Sequence, residues 1–324
     1  MREIKILMMV LMALGLGACV KEVDFNGEQS DPLLVVNGMQ KVGQPTRLCV
    51  EKSTFFMDAA KDCRVNDVAV DLYVNGVFME ALQVRDSMVT EMHIDWNSGD
   101  EVEVEELLYA FNYCEGQYLP CAGDKLRFEV RSSEFETATA EVTMPEAPHV
   151  ISFDTVNFAY DTSAYELSVL QFALKLDDPQ GTNYYNLFPR DALSGFTSSD
   201  PVFTDLMDFE VGELVGESND YYGYGPYNVF PDTYFDGKTY SVSMKVSLWS
   251  YQFNEPFTLE VSCVDEHLYR YRTTYNAYNA SNPESLLGMF TEPVQVYSNV
   301  RNGIGVVAAQ SSSVIFTINI TPDK

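Results

Sequence analysis

Short runs of strictly alternating side chains recur along this chain, and that period constrains the fold more than any other feature. Val68, Val70, Leu72 and Val74 alternate with Ala69, Asp71 and Tyr73 and lead into Asn75-Gly76, the pair that suits a tight hairpin turn. Leu126, Phe128 and Val130 alternate with the charged residues from Lys125 to Arg131. Ala138, Ala140, Val142 and Met144 alternate in the same way with Thr137, Thr139, Glu141 and Thr143. Successive side chains of a strand point to opposite faces, so each run is a strand with one face for a core and one for solvent. Strands of this length joined by short turns predict an immunoglobulin- or fibronectin-like β-sandwich of about a hundred residues, placed at residues 33–147.

Two prolines in "MPEAPHV", residues 144–150, cannot donate to a ladder and mark the end of that domain. A larger β-rich domain is expected over residues 148–324. Its strands are carried by Leu170, Phe172, Leu174 and Leu176, by Val242, Met244, Val246 and Leu248, and by Val314, Phe316, Ile318 and Ile320. One segment breaks the period of two. In "DEHLYRYRTTYNAYNA", residues 265–280, Leu268, Tyr271, Tyr275 and Tyr278 share a helical stripe, with acids in the first turn and Ser281-Asn282-Pro283 as the stop. A single helix packed on the second domain follows, its tyrosines read as core. "DDPQGTN", residues 177–183, lacks the ligand spacing of a calcium loop and reads as a hairpin turn set by Pro179 and Gly181.

The first 18 residues have the parts of a secretory signal. Arg2 and Lys5 precede an apolar stretch from Ile6 to Leu16, too short for a stable membrane span, and then Gly17 and Ala18. Cys19 follows Leu16-Gly17-Ala18 at once, a pattern that resembles the lipobox of bacterial lipoproteins. That resemblance implies cleavage before Cys19 and acylation of its thiol and amine. Acyl chains on Cys19 would anchor the protein to a membrane, since each buried CH₂ contributes about 0.8 kcal/mol. Residues 19–32 are polar and aperiodic and read as a flexible stalk.

With 20 Lys and Arg against 48 Asp and Glu, the chain carries a net charge of −28, which repels phosphate backbones and excludes nucleic acid as the natural partner. With Cys19 committed to lipid, five cysteines remain, so at least one is unpaired. Cys263 falls on the apolar face of its strand and reads as a small buried hydrophobe. Cys49 falls on the face of Arg47 and Glu51, outside the core. Cys114 with Cys121, flanking "EGQYLP", and Cys49 with Cys63 are the candidate disulfides, in keeping with a compartment outside the cytosol. Their spacing does not make a zinc site, and no metal is expected.

No catalytic motif is present in the sequence. The three histidines, His93, His149 and His267, lie outside any metal-binding helix pattern, and no nucleophile elbow or phosphate loop occurs. The one segment with the composition of a contact surface is "NDYYGYGPYNVF". There Tyr221, Tyr222, Tyr224 and Tyr227 stand among Gly223, Gly225 and Pro226, and rigid phenols of this kind suit a glycan, a peptide or a partner protein. The same loop would also serve by folding against its own sheet.

Several short pieces stand in order along the chain: Val35-Val36-Asn37-Gly38, Val68-Ala69-Val70, Ala138-Thr139-Ala140, Asn183-Tyr184-Tyr185, Phe235-Asp236-Gly237-Lys238-Thr239-Tyr240, Glu292-Pro293-Val294 and Ser298-Asn299-Val300-Arg301-Asn302-Gly303-Ile304-Gly305. Together they resemble an uncharacterised bacterial lipoprotein family, domain of unknown function 4249. The resemblance implies an outer-membrane lipoprotein, on the cell surface or the periplasmic face, often encoded near TonB-dependent receptors. It transfers no catalytic residue. The function expected is a lipid-anchored, non-catalytic binding or accessory module with no cofactor beyond the lipid on Cys19. A structural subunit of a surface fibre, with Ser313 to Ile320 as a donated strand, is the alternative, and a polysaccharide or peptide hydrolase ranks last.

Overall fold

The computed structural model describes residues 31–54, 63–85, 88–94, 101–107, 111–160, 168–189, 196–197, 228–248, 256–280 and 294–319. In chain order the first strands are β1 (Leu34–Lys41), β2 (Arg47–Lys52), β3 (Ala69–Val74), β4 (Val77–Val84), β5 (Met88–Ile94), β6 (Glu101–Leu107), β7 (Asn112–Glu115), β8 (Lys125–Arg131) and β9 (Ala138–Thr143). They continue with β10 (Val150–Tyr160), β11 (Ser168–Asp177), β12 (Tyr184–Pro189), β13 (Phe196–Thr197), β14 (Asn228–Pro231), β15 (Thr239–Leu248), β16 (Pro256–Val264), β17 (Val307–Gln310) and β18 (Val314–Asn319). The helix among the described residues, α1 (Glu266–Ala280), follows β16 directly. The protein is mainly β, as its alternation demands.

Twelve strands share one sheet, in the order β14-β12-β16-β17-β1-β2-β7-β4-β3-β8-β9, with β18 also paired to β16. A second sheet has the order β10-β11-β15-β13, and β5 and β6 form a separate pair. The hairpin between β3 and β4 turns on Asn75 (φ 52°) and Gly76 (φ 83°), both left-handed as a two-residue turn of this kind requires.

Three cores follow from these sheets. In the first, the inward residues of β1, β2, β3, β7, β8 and β9 meet in a sandwich-like arrangement around Phe128, which is fully buried. A side chain of that kind contributes about 1.5–3 kcal/mol when withdrawn from water. In the second, Phe172, Leu174, Val242 and Met244 of the four-stranded sheet pack on Tyr185, Leu187, Leu259 and Val261 of the large one. In the third, Leu268 of α1 packs against Met39, Val229, Val306 and Ala308.

The chain changes sheets at residues 144–149, where the prolines lie, yet 33–147 and 148–324 are not separate bodies. Pro32–Lys324 form one compact unit. The reason is the late segment 298–310, which returns to the first core and closes it between β9 and β1. Thr139 and Arg301 exchange both backbone hydrogen bonds (3.1 and 2.8 Å), and Ile304 bonds to Leu34 and Val36 (2.9 Å each). The Asn299 side chain completes the seam, donating to the carbonyl of Val307 (2.8 Å) and accepting its N–H (3.0 Å). β17 then runs parallel to β1, with Gly38 opposite Val307. Val300, Val307 and Ala309 are buried in the first core. Glycine is required at 305, where φ is 115° and a Cβ would lie 2.2 Å from the Val36 carbonyl oxygen.

The segment 177–183 is also not a hairpin turn. It links β11 of the four-stranded sheet to β12 of the large one, so it carries the chain between layers rather than back along one ladder.

Candidate functional site

The link from β9 to β10, the turn after β11 and the junction of β16 with α1 enclose a cleft of about 770 Å³. Each wall is irregular for a local reason. Pro145 and Pro148 keep the first out of any ladder. Pro179 and Gly181, the latter at φ 120°, bend the second. In the third, Asp265 stops β16 and caps α1, its Oδ1 accepting the Leu268 N–H at 3.0 Å.

Five carboxylates line the cleft, from Glu146, Asp177, Asp178, Asp265 and Glu266, and none of its lining residues is Lys or Arg. Two of the acids have basic side chains beside them: His149 Nδ1 lies 3.1 Å from Asp177 Oδ2, and Arg270 Nη1 lies 3.4 Å from Glu266 Oε1. Asp265 is different. Its Oδ2 is sealed from solvent and has no hydrogen-bond partner. Burial pushes this carboxyl up to about 7, against the backbone donors that hold it down, and the neighbouring Glu266 charge pushes the same way. Tyr184 also lines the cleft, and its ring stacks on Tyr269 of α1 with centroids 4.8 Å apart.

Asp178 joins the cleft to a second group of acids. Its carboxylate accepts the Tyr185 hydroxyl and, at 2.8 Å, the Gly237 N–H. Asp232 Oδ2 accepts both the backbone N–H (2.8 Å) and the side-chain amide (3.2 Å) of Asn183. Asp236 Oδ1 accepts the Gly181 N–H at 2.8 Å. One oxygen from each of Asp178, Asp232 and Asp236 lies within 4.8 Å of the other two. Burial raises the Asp232 carboxyl, and the charges of Asp178 and Asp236 add to that rise. Among the described residues these three can hold a hard cation through carboxylate oxygens. Their backbone and amide donors also satisfy them without one. The sequence hides this arrangement because its halves, 178 and 232–236, are more than fifty residues apart; the spacing Asp232-x-x-x-Asp236-Gly237 is the only local trace of it.

The residues singled out from sequence lie elsewhere. Cys19 and the tyrosines Tyr221, Tyr222, Tyr224 and Tyr227 lie outside the described residues. No disulfide joins either candidate pair among the described residues. Cys114 sits fully buried opposite Leu48 in the first core, whereas Cys121 is exposed. Cys49 is buried rather than outside the core, and Cys63 is half-buried. Alternation puts Cys49 on the face of Arg47 and Glu51, and that face is covered. Cys263, half-buried against the second core, lines the cleft, and burial pushes its thiol up to about 12, which removes it as a nucleophile near neutral pH.

A family model described as domain of unknown function (DUF4249) matches residues 20–315. The chain belongs to the DUF4249 family. No curated protein matches it. In this DUF4249 protein the pieces Asn183-Tyr184-Tyr185 and Phe235–Tyr240 meet at the cleft and its acidic neighbour. Val35–Gly38 and Ser298–Gly305 meet at the seam that closes the first core, where Asn37 Oδ1 accepts the Val306 N–H at 2.9 Å.

Proposed function

We propose that this protein is a lipid-anchored, non-catalytic binding module of the outer membrane that serves a TonB-dependent transporter, with the cleft as its ligand site. The observation that supports the reading is the cleft itself, whose groups are suited to holding a ligand rather than reacting with one. Its thiol is raised well above neutral, its histidine is tied to Asp177, Asp178 and Glu266 are held by hydrogen bond or ion pair, and Asp265 Oδ2 is sealed from water. A volume of about 770 Å³ is in the range of small-molecule sites. The lipobox ending at Cys19 supplies the anchor in this reading.

Affinity isolation of the tagged protein from gently solubilised outer membranes tests it, with Cys19→Ala as the control that cannot be acylated. Recovery of one transporter in near-equal amount, lost in the control, is the expected result. Recovery of the protein alone, as a polymer, would replace this reading with that of a fibre subunit.

A further inference from the structure

We propose that His267 is a pH-sensitive latch: while neutral it holds Tyr297, and with it the start of the closing segment 298–310, against α1, and on taking up a proton it lets them go. The inference does not depend on the cleft being a ligand site.

The latch is built where three elements meet. His267 lies half-buried in the first turn of α1. Its Nδ1 is 2.8 Å from the Tyr297 hydroxyl, and the two rings are nearly parallel, at 14°, with centroids 6.0 Å apart. The Glu141 carbonyl of β9 bonds to the same imidazole. A carbonyl only accepts, so the neutral ring directs its one N–H there, and Nδ1 is left to accept the hydroxyl hydrogen. Helix α1 grips Tyr297 twice more. Thr274 Oγ1 accepts its backbone N–H at 2.9 Å, and the Arg270 guanidinium lies over its ring, 4.2 Å from the centroid. Two residues further on, Asn299 begins the bonds of the seam, to Val307 through its side chain and to the Gly305 carbonyl through its N–H (3.3 Å). Tyr297 is therefore where the closing segment leaves α1 for the first core.

A proton on Nδ1 undoes this arrangement. Both ring nitrogens are then donors, so the Tyr297 hydroxyl must turn to accept, and its own hydrogen loses its acceptor. Burial is the main reason the ring resists protonation, and the Arg270 charge acts in the same direction. The Glu266 charge and the Glu141 carbonyl act against them, and the net direction is downward from the ordinary histidine value. Once the latch opens, the imidazole is an ordinary one and takes up a proton more readily than the closed form does. The contribution of the latch is thus full above about pH 6.5 and is lost as pH falls from there towards the lower value of the folded ring.

Native-state hydrogen exchange and imidazole titration, both followed by NMR on the full chain, test the inference. Between about pH 7.5 and about pH 5.5 the Tyr297 amide should lose protection by up to about tenfold beyond the ordinary pH dependence of exchange, the limit for one imidazole a unit below its ordinary pKa. His267→Asn sets a carboxamide oxygen near the place of Nδ1 and cannot titrate, so it should protect the Tyr297 amide equally at both pH values. In the unmodified protein the His267 imidazole, assigned by its absence from that variant, should titrate below the ordinary value. Tyr297→Phe, which takes away the hydroxyl, should raise it. An imidazole that titrates at or above the ordinary value or is unmoved by Tyr297→Phe, Tyr297 protection that is indifferent to pH, or a loss of the same size in His267→Asn overturns the inference.

Discussion

A methyl group at position 305 would sit 2.2 Å from the Val36 carbonyl oxygen and 2.8 Å from Asn37 Oδ1, on a backbone held at φ 115°. Gly305→Ala is therefore expected to lower the unfolding free energy by more than about 2 kcal/mol. Gly43→Ala is the matched control. Its φ is 75° with nothing within 4 Å, so it should show only the left-handed penalty of about 1–2 kcal/mol. Urea denaturation of the two variants side by side checks the difference. A glycine that binds by close backbone approach is visible in sequence as a glycine and nothing more. Asn302-Gly303 and Gly305 are residue types that suit a turn or a close approach, but which strand they approach depends on a partner far away in the chain. Cys49 shows the opposite failure: alternation tells which face a side chain takes and is silent on whether that face is covered.

Elements were more legible than their pairings. The alternation over 68–74, 125–131 and 138–144 matches β3, β8 and β9, whose inward residues are buried as the pattern requires. The helix appears where the tyrosine stripe placed it, although Tyr278 at its end is 49% exposed while Leu268 at its start is 1%. Less legible is how an irregular segment is held. The Glu80 carboxylate of β4 accepts the backbone N–H groups of Gln117 (2.9 Å) and Tyr118 (2.8 Å), standing in for a strand where β4 and the chain after β7 do not pair. Glu80→Ala leaves those donors without it and should cost about 1–3 kcal/mol. Hydrogen exchange should quicken at the Gln117 and Tyr118 amides with little change in β8. Unchanged protection there would mean the carboxylate is not what holds this segment. Nothing in the local sequence marks Glu80 among so many acids; its role comes from the β3–β4 hairpin, which brings it to the segment after β7.

At the scale of the molecule, the first strand and one of the last lie side by side, and the first core depends on both. Residues 33–147 alone would leave that core without Val300, Val307 and Ala309 and leave β1 without the neighbour that binds Val36 and Gly38. A fragment of those residues is expected to lack a cooperative unfolding transition, while the chain through residue 319 has one; circular dichroism against urea distinguishes them. The acidic cleft shares this dependence on distance, because its walls come from the three stretches 143–149, 177–185 and 263–266. Periodicity finds strands and leaves their partners unnamed, which is why the site was not legible although each wall was. β1 has one more property that follows from its place. It is the first strand of the compact unit, and it is laddered to β2 on one edge and to β17 on the other. A pull drawn along the chain from the N-terminal side enters the body as shear across two ladders at once, so many hydrogen bonds share the load instead of parting one by one. Load arriving from that side is therefore met by β2 and β17 before it reaches the rest of the sheet.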